Sequence, residues 1–263
     1  MLGAIVGDIV GSIYEWDNIK TKDFPLFKDE CFFTDDTVMT VAVADGILNG
    51  GTSIDFIEAF KKWGRLYPDA GYGNRFFSWI MSDCNEPYNS WGNGSAMRVS
   101  PCGWVDGSSQ KARLSAMVTH NHPEGVKGAL AVADLIYMGR SYKGMNGFTL
   151  EGFKDKIKEY IEGKYGYDLS LSLDEIRPSY TFDVSCKGTV PPAIIAFLES
   201  TDFEDSIRNA ISLGGDSDTL GAITGSIAEA FYGIPSFIKE AALSYLDEPL
   251  REVYLRFTHK YSV

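Results

Sequence analysis

The 263-residue chain is long enough to bury a large apolar core, and its 44% hydrophobic and 23% charged residues exclude a disordered or fibrous protein. A formal net charge of −12 disfavours general nucleic-acid binding, because a strongly acidic protein repels phosphate backbones. Four widely spaced cysteines without a C-x-x-C pair predict reduced thiols, and the N-terminal apolar segment is interrupted by Asp8 too early to span a membrane. We therefore predict a cytoplasmic protein with one domain over residues 1–263.

Apolar residues recur mostly at helical spacing, which predicts a compact all-α fold with long loops and at most minor strand content. In chain order, helices are predicted over 3–15, 36–49, 54–66, 109–118, 123–138, 149–162, 190–199, 203–212, 219–232 and 235–246. Residues 67–108 and 163–189 fit this scheme poorly, and short strands are expected only around 180–184.

The first predicted helix has a small-residue edge. Gly3, Gly7 and Gly11 recur at i, i+4 and i+8, a spacing that lets another helix approach closely. Glycine costs helix propensity, so its repeated use indicates tight packing or a nearby site, or simply a core helix that tolerates glycine.

Two acidic clusters lie at the starts of predicted helices. Thr34-Asp35-Asp36 precedes one helix, and Asp216-Ser217-Asp218-Thr219 precedes another. Each cluster alone is explained by helix capping. Together they offer the carboxylate and hydroxyl oxygens that hard divalent cations prefer, and Glu15 adds a fifth carboxylate.

An all-oxygen set fits Mg²⁺ or Mn²⁺ better than Zn²⁺, so the clusters predict a two-metal hydrolase site. The spacing excludes an EF-hand, and the sequence has no P-loop, G-x-S-x-G or H-E-x-x-H motif. A Mg²⁺-dependent phosphatase or nucleotide hydrolase remains open at this point.

Five motifs in this order resemble the ADP-ribosylglycohydrolase family. They are GAIVGDIVGSIYEW at 3–16, FTDDTVMTVAVADGIL at 33–48, SWGNGSAMRVSPCGW at 90–104, THNHPEG at 119–125 and SLGGDSDTLGAITGSIAEAFYGIP at 212–235. The resemblance implies a binuclear Mg²⁺ or Mn²⁺ centre in the cleft of an all-α fold. The implied metal ligands are Thr34, Asp35, Asp36, Asp216, Asp218 and Thr219, and the implied catalytic carboxylates are Glu15, Asp35 and Asp36.

The resemblance also implies a substrate loop beginning at Trp91. Its glycines expose backbone N–H groups that can form a nest for a diphosphate without basic side chains. Trp91 either stacks on adenine or packs in the core, Met97 is a weaker second half of such a clamp, and Arg98 is expected to form a structural ion pair. The predicted substrate-binding residues are Trp91, Gly92, Asn93, Gly94, Ser95, Ala96, Met97, His120, Gly214 and Gly215.

The implied reaction is hydrolysis of the glycosidic bond between the distal ribose of an ADP-ribosyl group and its acceptor. Nearby carboxylates stabilise the oxocarbenium-like transition state, and one of them acts as general base. The implied partner is an ADP-ribosylated protein, with arginine as acceptor, or a small-molecule ADP-ribose conjugate. Serine, a nucleic-acid base and O-acetyl-ADP-ribose are alternatives, as is a non-catalytic ADP-ribose binder. The segment Gly71-Tyr72-Gly73-Asn74-Arg75 is a candidate wall of the entrance.

Overall fold

The computed structural model describes residues 1–142 and 149–261, and within these ranges every regular element is helical. The prediction of an all-α fold is therefore confirmed. The helices are α1 (Leu2–Gly11), α2 (Asp35–Asn49), α3 (Ser53–Leu66), α4 (Asn74–Met81), α5 (Gly94–Met97), α6 (Ser100–Gly103), α7 (Ser108–Met117), α8 (Pro123–Tyr142), α9 (Leu150–Tyr165), α10 (Leu173–Ile176), α11 (Cys186–Leu198), α12 (Phe203–Ile211), α13 (Ser217–Tyr232), α14 (Ser236–Tyr245) and α15 (Glu248–Tyr261).

The strand expected around residues 180–184 is wrong. In the described ranges, only one isolated antiparallel bridge forms, between Gly92 and Ser185. The N–H of Asn93 donates to the carbonyl of Val184 at 2.8 Å, and the N–H of Cys186 donates to the carbonyl of Trp91 at 3.1 Å. The pairing stops there because both segments continue directly into helices, α5 and α11.

Helix α1 and helix α13 touch through their backbones. A Cβ atom on Gly7 would lie 1.9 Å from the carbonyl oxygen of Gly221, and a Cβ atom on Gly11 would lie 2.5 Å from Cα of Asp218. No other residue fits at such positions without displacing the partner helix, so the glycine edge serves close helix packing. This contact brings the end of α1 to the start of α13.

The first helix ends earlier than predicted. It is α-helical to Gly11 and then tightens into a 3₁₀ turn, Ser12–Tyr14, so that Glu15 follows the turn instead of closing the helix. Both α13 and α1 are buried on nearly all sides and belong to one continuous cluster of apolar side chains that extends to α15. Over residues 1–142 and 149–261, no helix is both long and apolar enough to cross a membrane.

Candidate active site

A cavity of about 610 Å³ opens where α1, α2 and α13 meet. All seven residues predicted as metal ligands or catalytic acids lie on its lining: Glu15, Thr34, Asp35, Asp36, Asp216, Asp218 and Thr219. We call the five carboxylates among them the acid cluster. Two sequence segments separated by about 180 positions thus meet at one end of one cavity.

Helix starts position the acid cluster. Thr34 is the N-cap of α2, so Asp35 and Asp36 lie in its first turn, and Asp216 is the N-cap of α13, so Asp218 lies in the first turn of that helix. The positive ends of two helix dipoles therefore point at these carboxylates and favour their charged forms. They also oppose a cation, which makes a surplus of acid necessary for metal binding.

Asp8 is a buried carboxylate that supports the first cluster and that the sequence analysis did not assign. Its side chain is 0% exposed. It accepts hydrogen bonds from the Thr34 hydroxyl at 2.7 Å and from the backbone N–H groups of Thr34 and Thr37 at 3.0 and 2.9 Å. The Thr34 hydroxyl donates to Asp8 and accepts from the Asp36 N–H at 3.3 Å, so its second lone pair is left to face a cation.

Direct hydrogen bonds join the two clusters to each other and to the loop at 92–94. The Thr219 hydroxyl donates to Oδ2 of Asp36 at 3.2 Å, and Nδ2 of Asn93 donates to Oδ2 of Asp216 at 2.6 Å. The other oxygen of Asp36, Oδ1, is buried and has no hydrogen-bond partner in the part of the chain that the structure describes. Such an orphaned carboxylate oxygen is costly unless a ligand satisfies it.

The chemistry of the acid cluster fits divalent cations. Glu15, Asp216 and Asp218 each offer a carboxylate oxygen within 4.8 Å of the others. Throughout the two described ranges, no Lys, Arg or His side chain forms an ion pair with any of the five carboxylates. Buried negative charge without a cationic partner, presented only by oxygens, is what Mg²⁺ and Mn²⁺ sites require.

The pKa values of the acid cluster reflect this excess charge. Burial, followed by repulsion from Asp218, raises the pKa of Glu15 to about 7. Burial likewise raises the pKa of Asp216 to about 6, and burial with mutual repulsion raises those of Asp35, Asp36 and Asp218 well above 3.8. Without a cation, the folded protein therefore holds protons that the unfolded chain would release at neutral pH.

This difference predicts a pH-dependent stability that metal removes. A raised acid pKa stabilises the folded state below the unfolded pKa near 4, and this stabilisation is lost as pH rises through the folded pKa near 6 to 7. In chelator, the melting temperature is expected to fall between about pH 5 and pH 8. Excess Mg²⁺ should raise it most at the upper end, because Mg²⁺ binds the ionised carboxylates. If the melting temperature changed with pH by the same amount with and without Mg²⁺, this expectation would be contradicted.

Only part of the predicted substrate loop lines the cavity. Gly92, Asn93, Gly94 and Met97 line the cavity, and we call residues 92–94 the glycine turn. Ser95 and Ala96 are 0% exposed behind it. Trp91 is 51% exposed and is outside the lining, so packing in the core, one of its two expected roles, does not apply.

Gly214 and Gly215 shape the loop before α13 and are not part of the cavity lining. Their φ angles, +66° and +72°, lie in the left-handed region that glycine adopts without strain. The side chain of Asn18 holds this loop, since Oδ1 accepts from the N–H of Gly215 at 2.8 Å and Nδ2 donates to its carbonyl at 3.1 Å. Both glycines thereby set the direction in which Asp216 enters the site.

Arg98 is buried but does not form the expected ion pair. It is 1% exposed, and within the described residues it has no carboxylate partner. Its guanidinium lies 4.1 Å from the ring centroid of Phe60 and donates through Nη2 to the Thr119 hydroxyl at 2.8 Å. Aromatic faces and neutral oxygens replace the carboxylate, since both are favourable surroundings for a delocalised cation.

Aromatic side chains at the mouth of the cavity were missed by the sequence analysis. Trp16 and Phe182 stack with ring centroids 5.3 Å apart and an interplanar angle of 22°, and both line the cavity. We call them the mouth aromatics. Trp16 is 82% exposed although it directly follows Glu15. In the sequence, the sign of this role is a tryptophan directly after the predicted catalytic residue Glu15.

The remaining wall contains the segment predicted to flank the entrance. Gly71, Gly73, Asn74 and Arg75 line the cavity, together with Asp69. The backbone carbonyl of Ala70 accepts a hydrogen bond from the N–H of Asp35 at 2.8 Å, which fixes this wall next to the acid cluster.

The chain is similar to known proteins along most of its length. A model of the ADP-ribosylglycohydrolase family matches residues 1–261. ADP-ribosylhydrolase ARH3 of Xenopus tropicalis is 28% identical over 331 aligned positions, which cover 97% of this chain and 95% of that protein. ARH3 of Mus musculus is 26% identical over 89% of this chain and 83% of its own length. ADP-ribosylarginine hydrolase Tri1 of Pseudomonas putida (strain GB-1) is 26% identical over 93% of this chain and 73% of its own length.

A solved ADP-ribosylglycohydrolase-related protein complex has the same fold, with a TM-score of 0.66 and 24% identity over 93% of this chain and 94% of the solved one. Because the family model covers nearly the whole chain, the protein belongs to the ADP-ribosylglycohydrolase family. The resemblance predicted from the five motifs is confirmed. The family is one of hydrolases that in general depend on metal, and the acid cluster provides a group that can bind it.

Proposed function

From this family membership, we propose that the protein hydrolyses the glycosidic bond that joins the distal ribose of an ADP-ribosyl group to arginine, with two Mg²⁺ or Mn²⁺ ions as cofactors. The convergence of five uncompensated carboxylates at one end of a cavity, with the glycine turn on its lining, carries this proposal. A cavity of about 610 Å³ lies within the size range of small-molecule sites.

Residues of α2 and α13 would hold the cations. They are Thr34, Asp35, Asp36, Asp216, Asp218 and Thr219. Bound Mg²⁺ or Mn²⁺ supplies Lewis-acid and electrostatic stabilisation of oxygens at the reaction centre. The unpartnered Oδ1 of Asp36 and the Thr34 oxygen, freed by Asp8, are protein donors aimed at such ions.

Glu15 is the proposed general base. It is only partly buried and directly precedes Trp16, one of the mouth aromatics. A carboxylate at this position can accept a proton from a water that attacks the ribose. Asp35 and Asp36, in the first turn of α2, instead stabilise the positive charge that develops on the ribose ring in the transition state.

The glycine turn is proposed to hold the diphosphate. The N–H of Gly92 already donates to Ser90 Oγ at 3.2 Å, and the N–H of Asn93 donates to the Val184 carbonyl at 2.8 Å. On the cavity lining, the donor left for a ligand is therefore the N–H group of Gly94 at the start of α5. This arrangement binds phosphate oxygens without lysine or arginine, which suits a chain of net charge −12.

The mouth supports arginine as the acceptor. The mouth aromatics offer exposed ring faces beside Glu15, and Asp69 adds a carboxylate to the same lining. A planar guanidinium is attracted by both features, whereas a serine or acetyl oxygen gains nothing from an aromatic face. The similar protein from Pseudomonas putida, an ADP-ribosylarginine hydrolase, supports the same acceptor.

The test is product analysis with matched conjugates. In Mg²⁺, ADP-ribosyl-arginine is expected to yield free ADP-ribose and arginine by mass spectrometry, faster than ADP-ribosyl-serine or O-acetyl-ADP-ribose yields its products. Trp16→Ala should raise KM for the arginine conjugate by roughly twofold to fivefold, the loss of about 0.5 to 1 kcal/mol of cation–π attraction at an exposed site, and leave KM for the serine conjugate nearly unchanged. Phe237→Ala, an exposed aromatic outside the cavity, is the control.

Other outcomes would overturn the proposal. ADP-ribose binding without turnover would indicate a non-catalytic binder. Release of AMP and ribose phosphate would indicate the nucleotide-hydrolase class. Faster cleavage of the serine conjugate would leave the reaction class intact and refute the acceptor.

We also propose a cytoplasmic location and no general nucleic-acid partner. All four cysteines are free thiols, as reducing compartments favour, and the net charge is −12.

A further inference from the structure

A buried chain of hydrogen bonds leads from Arg98 to the cavity. Nη2 of Arg98 donates to the hydroxyl of Thr119 at 2.8 Å, and that hydroxyl lies 2.8 Å from Nδ1 of His120. The three residues are 1%, 0% and 5% exposed, so water does not compete for these contacts. Arg98 also donates to the carbonyl of Ser115 at 3.1 Å, which fixes its guanidinium in place.

The direction of this chain follows from the chemistry of its members. A guanidinium only donates hydrogen bonds, so the Thr119 oxygen accepts from Arg98, and its single hydrogen is left for Nδ1 of His120. If Nδ1 carried the proton instead, the hydroxyl hydrogen would be buried without an acceptor. An unsatisfied buried donor costs about 1 to 3 kcal/mol. Nδ1 is therefore the acceptor, and the ring proton lies on Nε2.

Nε2 of His120 faces the glycine turn. A Cβ atom on Gly94 would lie 3.3 Å from Nε2, and one on Gly92 would lie 3.7 Å from it, so side chains at these positions would cover the nitrogen. Nε2 has no hydrogen-bond partner among residues 1–142 and 149–261, and His120 lines the cavity. Burial, with a further contribution from Arg98, lowers the pKa of His120 well below 6.5, which keeps the ring neutral.

We propose that Arg98 and Thr119 are positioning residues that lock His120 in its Nε2–H tautomer, so that the cavity presents one directed hydrogen-bond donor beside the glycine turn. Its ligand is an oxygen acceptor, a phosphate or sugar oxygen. Naming that ligand as ADP-ribose rests on the proposed function, whereas the tautomer does not.

The tautomer can be measured in the unmodified protein. The chain has only three histidines, so the ¹⁵N signals of His120 are assigned with single substitutions of His122 and His259. Long-range ¹H–¹⁵N spectra of the wild type are expected to show a protonated Nε2 and an unprotonated, hydrogen-bonded Nδ1. A His120 ring that carries its proton on Nδ1, or that is an imidazolium at pH 7, would overturn the proposal. This result needs no substitution at Arg98 or Thr119, the two residues that we call the relay.

Two variants at one position test the relay itself. Thr119→Val removes the hydroxyl, so the signals of His120 are expected to become an average over both tautomers and the Kd for ADP-ribose to rise several-fold. Thr119→Ser keeps the hydroxyl and should retain the wild-type spectrum and a Kd within about twofold, since the relay is intact. Circular dichroism verifies that both variants fold.

An unchanged His120 spectrum in Thr119→Val would refute the positioning role. If that variant does not fold, the wild-type spectrum still decides the tautomer. A locked tautomer combined with no ADP-ribose binding would refute the proposed function and leave the tautomer lock standing. Binding that stays the same while the tautomer is lost would refute the claim that Nε2–H contacts the ligand.

Discussion

Asp218→Asn is expected to lower the rate of ADP-ribose release from ADP-ribosyl-arginine by about a thousandfold at saturating Mg²⁺. Asp218 shares with Glu15 and Asp216 the set of oxygens within 4.8 Å, and an amide gives that set a weaker, neutral donor. A bound metal contributes several kcal/mol to catalysis, and each 1.4 kcal/mol lost is a factor of ten in rate. Initial rates measured over a Mg²⁺ titration test this expectation, and the half-saturating Mg²⁺ concentration should rise with the variant.

Asp45→Asn is the matched control, since it neutralises a buried carboxylate outside the cavity. Asp45 is 3% exposed and accepts from Nε1 of Trp63 at 2.8 Å and from Lys62 at 2.7 Å. Its loss should destabilise the protein by about 1 to 3 kcal/mol and leave the metal dependence unchanged. In chelator, Asp218→Asn should instead raise the melting temperature, because it removes repulsion. Activity above a tenth of wild type in Asp218→Asn, at any Mg²⁺ concentration, would contradict the assigned role.

Gly7→Ala is expected to lower the free energy of unfolding by about 4 kcal/mol or more, or to prevent folding. The added Cβ would lie 1.9 Å from the carbonyl oxygen of Gly221, and because that atom belongs to a backbone, the clash is relieved only when α1 and α13 separate. Glu15 follows the turn at the end of α1, and Asp216 and Asp218 begin α13, so a separation of the two helices should also lower Mg²⁺ affinity. Urea unfolding with and without Mg²⁺ measures both effects.

Gly163→Ala is the control for Gly7→Ala, since the same chemical change is expected to raise the free energy of unfolding. Gly163 is exposed in α9, and a Cβ there would meet nothing within 4 Å. The variant should therefore be more stable by about 0.5 to 1 kcal/mol, because alanine has the higher helix propensity. A loss below 1 kcal/mol in Gly7→Ala would show that α1 can shift on α13, contrary to the close contact.

Elements with clear local signals could be predicted from the sequence. The helix predicted over 36–49 is observed at Asp35–Asn49, because a threonine caps its start and two glycines end it. Helix α15 was missed although Leu250, Val253, Tyr254 and Phe257 have helical spacing and are buried, since its polar residues dominate the segment. Helix α4 was missed because aromatic residues occupy both its buried and its exposed faces.

The site could be predicted only where one local segment carried its chemistry. Both acidic motifs combine acids, hydroxyls and helix starts, and the two together predict a metal site, although each alone is explained by helix capping. Asp8 was taken as a break in an apolar helix, since its partner Thr34 lies 26 positions away. The stacking of Trp16 on Phe182 joins residues that no sequence pattern connects. Contacts between residues far apart in the chain are set by the packing of the helices, so no local sequence pattern predicts them.

The contact between α1 and α13 also limits how the centre can change. Main chain rests on main chain at Gly7 and Gly221, so backbone contact fixes the distance between Glu15, which follows α1, and the acids at the start of α13. A rigid frame discriminates by ionic radius and disfavours Ca²⁺, which needs longer bonds and more ligands than Mg²⁺. At the proposed metal site, a change of the preferred ion is therefore expected to require exchange of the donor side chains.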